Sequence, residues 1–304
     1  MATSRKRKSQ QRKRPGAQMS GNPQVERVSS PRGRLRPFFK LMEDVTSAAD
    51  RTVLETPDVE NQLTRFDAEI LVRGINSVKA VRSLLEHGHW EHAVGVTRQL
   101  FELLVNMEYL GTVEDRGEAT LLFARFGLLQ FLLAEERRFV YNREKGHPVN
   151  EQMAAMVNEH LKNEFNDFQA KPRADGSVRW VSSWCRKDTA ELARLSDDPM
   201  RSYHYNILYR VWSEQAHAAP GALIKNMFRD NDNGWVEQAV AETDRSSRDT
   251  IAFTLMFFLR LWVVLPHVEA SHERVAVWLG KLSVLNGGPG LPPRPWTTEE
   301  ISVS

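Results

Sequence analysis

The sequence predicts an all-α protein: a single helical bundle of roughly eight helices, with a disordered basic N-terminal arm and a Pro/Gly-rich C-terminal tail. Three observations predict it. Apolar residues recur at three- and four-residue steps through most of residues 37 to 285, the spacing that lines one face of an α-helix. No stretch of convincing length alternates apolar and polar residues as a half-buried strand would. Both ends have compositions that cannot bury enough apolar surface to offset the entropy of ordering.

Residues 1 to 36 hold eleven Lys or Arg and one acid, Glu26, a net charge of +10; the remaining 30 basic and 38 acidic residues give −8. A near-neutral total thus conceals a basic arm on an acidic body. The stretch "SRKRKSQQRKRPG" lacks the apolar segment of a signal peptide and is expected to be disordered. Its Arg5, Lys6, Arg7, Lys8, Arg12, Lys13 and Arg14 can neutralise phosphates, a salt-sensitive and sequence-blind mode of binding RNA or other nucleic acid. A solubilising tail, an arm docked on the acidic body, or, in a eukaryotic cell, a nuclear import signal would have the same composition.

The elements follow in order. Phe66, Ile70, Leu71, Ile75, Val78, Val81, Leu84 and Leu85 mark a helix of about six turns that "EHGHW" stops. After Gly88 a second helix runs to about Leu110, with Ala93, Val96, Leu100, Leu103, Leu104 and Met107 inward; the short connection makes the two an antiparallel hairpin. A third runs from Glu118 to about Arg143 on Leu121, Leu122, Phe126, Leu129, Leu133 and Val140, and Gly146 and Pro148 end it. "EQMAAMVNEHLKNEF" supplies a fourth. From Asn166 to Trp184 the pattern lapses into a long loop whose Trp180 and Trp184 should pack back onto the body.

Helices resume in "CRKDTAELARLS" and "PMRSYHYNILYRVWSEQAH", where Tyr205, Leu208, Trp212 and Ala216 share a stripe. "RSSRDTIAFTLMFFLRLWVVLPHV" and a helix from about Ala270 to Leu285 close the bundle, which leaves room for an antiparallel dimer interface. The longest apolar run, Ile251 to Leu265, is interrupted by Arg260 and falls short of the roughly 20 residues of a membrane span, so it reads as a buried core helix and no membrane segment is expected. Residues 286 to 304, with "LPPRP", form the tail, extended by its prolines. The single cysteine, Cys185, cannot form an internal disulfide; with no secretory signal, a reducing cytoplasm is the expected location.

Four polar features bear on chemistry. His87, His89 and His92 crowd the first hairpin tip, but their spacing matches no metal-ligand pattern and they read as solvent-facing. Arg98 and Glu102 stand one turn apart on a face rich in Leu and Phe, so they form either a structural ion pair or the wall of a polar pocket. In "YRVWSEQAHAAP", Arg210 and His217 are about two turns apart and Ser213 lies one turn before His217. Histidine can act as general acid or base near neutral pH, and arginine presents a fork of donors to phosphate oxygens. That pair suits phosphodiester cleavage without a metal or any other cofactor. The same residues would equally suit a helix end, with His217 bonding the final carbonyls and Ser213 the carbonyl one turn earlier. Pairs such as Glu135 with Arg138 and Glu136 with Arg137 read as a solvated face, and "DNDNG" lacks the downstream glutamate of a calcium loop.

The succession of a long helix, a glycine-bearing turn, "TRQLFELLVNMEYL", a tryptophan before a helix and "YNILYRVWSEQAH" resembles an all-α bacterial family known as domain of unknown function 5677, from about Phe66 to Leu223. In its pattern an arginine and a glutamate stand one turn apart in the second helix, matched by Arg98 and Glu102. A tyrosine, a serine and a histidine recur near the end of a later helix, matched by Tyr209, Ser213 and His217. The resemblance extends more distantly to the HEPN-type helical ribonucleases of toxin and phage-defence systems, whose motif is an arginine, four to six residues, then a histidine. Arg210 and His217 fit with six residues between them, although Val211 stands where the commoner form has a polar residue. That resemblance implies catalytic roles for Arg210 and His217 and a homodimer with two motifs facing across its interface. A non-enzymatic module, in which Arg98, Glu102, Ser213 and His217 hold the bundle together and the arm recruits nucleic acid or a protein partner, is the other reading.

Overall fold

The computed structural model of the chain describes residues 31–57, 61–172, 174, 178–216, 235–268 and 270–288. Nine helices run through the described residues: α1 (Pro31–Glu55), α2 (Gln62–Glu86), α3 (Trp90–Thr112), α4 (Arg116–Glu144), α5 (Glu151–Asn163), α6 (Thr189–Leu195), α7, α8 (Trp235–Val263) and α9 (His272–Leu285). Helix α7 is an unbroken rod of three parts: Met200–Tyr203, a π-helical stretch His204–Tyr209, and Arg210–Ala216. The only strands among the described residues are Gln169–Ala170 and Arg179–Trp180, an antiparallel pair with Gln169 opposite Trp180.

Polar side chains set where helices begin. Asn61 accepts hydrogen bonds from the Leu63 and Thr64 amides, Asp115 from Glu118, Asn150 from Met153 and Ser271 from Arg274, while Asp188 and Glu191 cap α6 reciprocally. Each satisfies an amide that the first turn leaves without a partner. Gly88, at φ +83°, makes the hairpin turn between α2 and α3 in the left-handed conformation that glycine adopts without strain.

Helix α3 is central: α2, α8, α7, α6 and α4 all pack on it. Its Ala93, Thr97, Leu104, Val105, Met107 and Leu110 are wholly buried. Helix α1 lies on α2 and α8 and is covered at its far side by α9. Where α2 meets α8, Gly74 permits close approach; a Cβ there would come within 3.0 Å of Leu261 Cδ2 and Phe258 Cδ2. In the loop after α5, buried Trp184 donates through Nε1–H to Asn106 Oδ1 at 2.7 Å, and partly buried Trp180 packs against the core, so both tryptophans are structural.

Two expectations need correction. Helix α1 begins at Pro31, inside the stretch assigned to the arm, because Leu35 finds a buried place against the bundle. Helix α4 buries only part of the face expected: Phe126 and Leu129 are buried and Leu122 and Leu133 pack on the core, but Leu121 is 59% exposed and Val140 46%, while Leu132 and Phe139 are buried instead. Apolar residues occur on nearly every side of α4, so spacing alone cannot select its inner face. Among the described residues α4, rather than the run from Ile251, is the one helix long and apolar enough by length and composition to cross a membrane. Three ion pairs nevertheless fasten it to the body, Arg116 to Asp67, Arg125 to Asp167 and Arg143 to Glu151.

Asp67 is fully buried and receives Arg116 Nη2 at 2.6 Å, the His267 ring at 2.7 Å and the His267 amide at 3.2 Å. One carboxylate thus ties α2 to the start of α4 and to the turn after α8. Asp67→Ala strands a partly buried guanidinium and is expected to lower unfolding free energy by about 3 kcal/mol in denaturant melts. A loss under about 1 kcal/mol would mean that water replaces the carboxylate at no cost.

Candidate functional site

Helix α3 turns its polar side toward α7, and two clusters form along the seam. At the first, Arg98 Nη2 donates to Tyr209 Oη at 2.8 Å, and Tyr209 Oη–H donates to Glu102 Oε1 at 2.7 Å. Arg98 and Glu102 also pair directly at 3.3 Å, as their one-turn spacing allows. The Arg98 guanidinium carbon lies 4.4 Å from the centre of the Tyr209 ring, a cation–π contact that adds to the hydrogen bond. Phe101 and Tyr205 pack around the same ring at 5.9 and 5.0 Å between centroids.

The cluster is half open. The Arg98 side chain is 21% exposed and that of Glu102 38%. Burial raises the Tyr209 pKa and the bond to Glu102 adds to this, against the lowering effect of Arg98. The phenol therefore stays protonated at neutral pH and remains a donor. Ser213 spends its hydroxyl on the Tyr209 carbonyl at 2.7 Å, the one-turn-back bond foreseen for a helix-end serine. Arg210 is exposed on the adjacent turn. His217 lies outside the described residues, as do Arg5, Lys6, Arg7, Lys8, Arg12, Lys13 and Arg14 of the arm, "DNDNG" and "LPPRP". The structure thus unites Arg98, Glu102 and Tyr209, residues that the sequence offered only as separate matches.

A second cluster, not foreseen, sits further along the seam. Arg201 is 1% exposed and holds Glu108 through Nη2 and Nε, at 2.7 and 3.0 Å to Oε1, and Asp198 through Nη1 at 3.1 Å. Ser196 donates to the other Glu108 oxygen at 2.9 Å. Next to them His204, 4% exposed, lies edge-on to Phe253 and Phe257, with Nδ1 3.5 Å from Arg201 Nη1. A cleft of about 280 Å³ opens beside Glu108, Arg201 and Arg260. The signal was present in the sequence: the apolar stripe of Tyr205, Leu208 and Trp212, continued back one turn, lands on Arg201.

The hairpin-tip histidines behave as solvent-side residues. His87 bonds the Ser83 carbonyl at 2.8 Å, and His89 and His92 are exposed with ring centroids 6.1 Å apart. No group of three or more His, Cys, Asp or Glu placed to hold a metal ion occurs among the described residues.

Burial, with the adjacent Arg201 charge, lowers the His204 pKa from 6.5 to about 4, although Asp198 opposes the shift. In the unfolded chain the imidazole gains its proton near pH 6.5. Stability is therefore present in full above that pH and declines as the pH falls toward 4, because the unfolded state binds the proton first. Allowing for screening, His204 contributes a loss of about 2 kcal/mol across this window. Carboxylates titrate in its lower part, so the comparison is with His204→Phe. The stability of wild type relative to the variant is expected to fall by that amount between pH 7 and pH 4; parallel profiles would show that the imidazole titrates normally.

A family model described as "Family of unknown function (DUF5677)" matches residues 68–234 and spans both clusters. No curated protein and no solved structure matches the chain. With more than half of its length matched, the chain belongs to the DUF5677 family.

Proposed function

We propose that the chain is a metal-independent ribonuclease that works at the open end of the α3–α7 seam, in the manner of the HEPN-type enzymes of toxin and phage-defence systems. One observation carries the proposal. Arg98, Glu102 and Tyr209 converge from two helices in a half-exposed spot, and the chain continues directly into Arg210. His217 takes the proton of a ribose 2′-hydroxyl, whose oxygen attacks the adjacent phosphorus; the P–O5′ bond breaks, the 5′-oxygen takes a proton from water, and the product is a 2′,3′-cyclic phosphate. Arg210 neutralises charge that builds on the phosphoryl oxygens. Tyr209, kept protonated by burial, spends its one proton on Glu102 and accepts from Arg98, so it fixes both side chains at the edge of the site. The basic arm supplies general affinity for RNA, and the lone, half-buried Cys185 suits a reducing cytoplasm.

A non-enzymatic binding module is the second reading. It is favoured by the way Glu102 already balances the Arg98 charge and by the Ser213 hydroxyl being committed to the backbone.

An RNA cleavage assay in excess chelator separates the two. Wild type is expected to leave cyclic phosphate ends, with activity reduced by about 10²-fold or more in His217→Ala and Arg210→Ala, and by about tenfold in Tyr209→Phe, all with unchanged circular dichroism. Binding without cleavage by folded wild type selects the module. Removal of residues 1–30, which leaves α1 whole, should weaken RNA binding and flatten its dependence on salt. An unchanged salt slope removes the arm from the account.

A further inference from the structure

We infer that the outward face of α4 is a homodimer seam on which a second copy of the chain docks antiparallel about a two-fold axis. The inference stands apart from the ribonuclease reading. Leu121, Ala124, Leu128, Phe131 and Ala134 follow one another at three- and four-residue steps and are all exposed, Leu121 by 59%, Leu128 by 48% and Phe131 by 61%. Gly127, beside Leu128, has open space where a side chain would stand. Alternating steps of three and four residues are the repeat with which one helix packs along another, and a stripe of this kind on the surface marks an interaction site. The helix itself is not adrift, since the ion pairs from Arg116, Arg125 and Arg143 hold its inner side on the body. Its 29 residues span roughly 43 Å, long enough for an extended seam.

Charge placement identifies the occupant. Leu121 and Phe131 lie five residues to either side of Phe126, so an antiparallel copy centred at that height sets Leu121 against Phe131 and Ala124 against Leu128. The same operation sets Glu114, just ahead of the helix, against Arg138, both exposed. An acid before the stripe and an arginine after it are thus self-complementary, and the pair occurs twice, as an isologous interface requires. A parallel arrangement would bring each arginine against its own copy. Arg138 already pairs with Glu135 on its own helix, so Glu114 of the second copy would enter an existing ion pair.

Sedimentation velocity of the full chain through the micromolar range tests the seam. A dimer is expected, with Leu128→Glu/Phe131→Glu monomeric and as thermally stable as wild type, because both positions are exposed in the single chain. Arg138→Glu should weaken dimerisation by about tenfold or more by placing acids against acids, and Glu114→Arg/Arg138→Glu should restore it. A monomeric wild type overturns the proposal, as does a dimer that the Leu128/Phe131 variant leaves intact. Flotation of a monomeric wild type with anionic phospholipid vesicles, lost in the same variant, would assign the stripe to a membrane surface instead.

Discussion

The fold rests on the burial of α3 between α2 and α8. Leucines, valines and alanines on both of its apolar sides have almost no exposure, and each neighbouring helix gains its own buried face from the same contact. At the centre of this layer sits a polar pair, with Thr97 Oγ1 and Thr254 Oγ1 2.7 Å apart and both fully buried. Each hydroxyl also reaches a carbonyl of its own helix, Ala93 for Thr97 and Thr250 for Thr254. Two protons serve three contacts, so whichever threonine donates across the interface gives up its bond within the helix. Sliding α3 along α8 would leave buried hydroxyls facing hydrocarbon, and the pair therefore specifies register where apolar packing tolerates slippage.

The side of α3 that faces α7 follows the opposite rule. Arg98, Glu102 and Glu108 are set against Tyr209 and Arg201, and the arginine of the second cluster is almost wholly removed from water. Desolvating such charges costs several kcal/mol per ion, which the attraction between them offsets only with good geometry. Arg201 has that geometry, with two carboxylates and a serine-buttressed partner. Burial among the phenylalanines keeps His204 neutral and the Arg201 charge reinforces it, so the ionic group and the aromatic group act together. A seam with these demands fits only one alignment of α7, and that alignment is what delivers Tyr209 to Arg98.

The architecture was legible because helices that bury a single face write that face into the spacing of apolar residues. Phe66 to Leu85 and Ala93 to Met107 predicted α2 and α3, and Gly88 the turn between them. Helix α4 was legible as a helix but not in orientation, since Leu121, Leu128 and Phe131 carry the same apolar signature as Phe126 and Leu129. The pairing of Arg98 with Glu102 was visible as a one-turn spacing. Their meeting with Tyr209, 107 residues beyond Glu102, was not legible, because the resemblance offered the residues only as separate matches and nothing local in a sequence encodes a contact between distant helices. Arg201 and Glu108 escaped for the same reason, with the added difficulty that a charged residue on an apolar stripe is ordinarily taken as its end.

The π-helical stretch explains why a regular period misplaces the site. An α-helix advances about 100° per residue, so Arg201 and Tyr209, eight positions apart, would stand roughly 80° out of line. A π-helix carries roughly 4.4 residues per turn, and the six residues from His204 to Tyr209, with the Arg210 amide bonded back to the Tyr205 carbonyl, lag by about one residue in all. The lag turns Tyr209 back to the side of Arg201, and both then face α3, one against Glu108 and the other against Arg98 and Glu102. In a regular helix one cluster could form only by giving up the other. Wider turns pack the backbone less well than α-helical ones, so the stretch persists because one rod must meet two sets of α3 partners that lie 93 to 111 residues away along the chain.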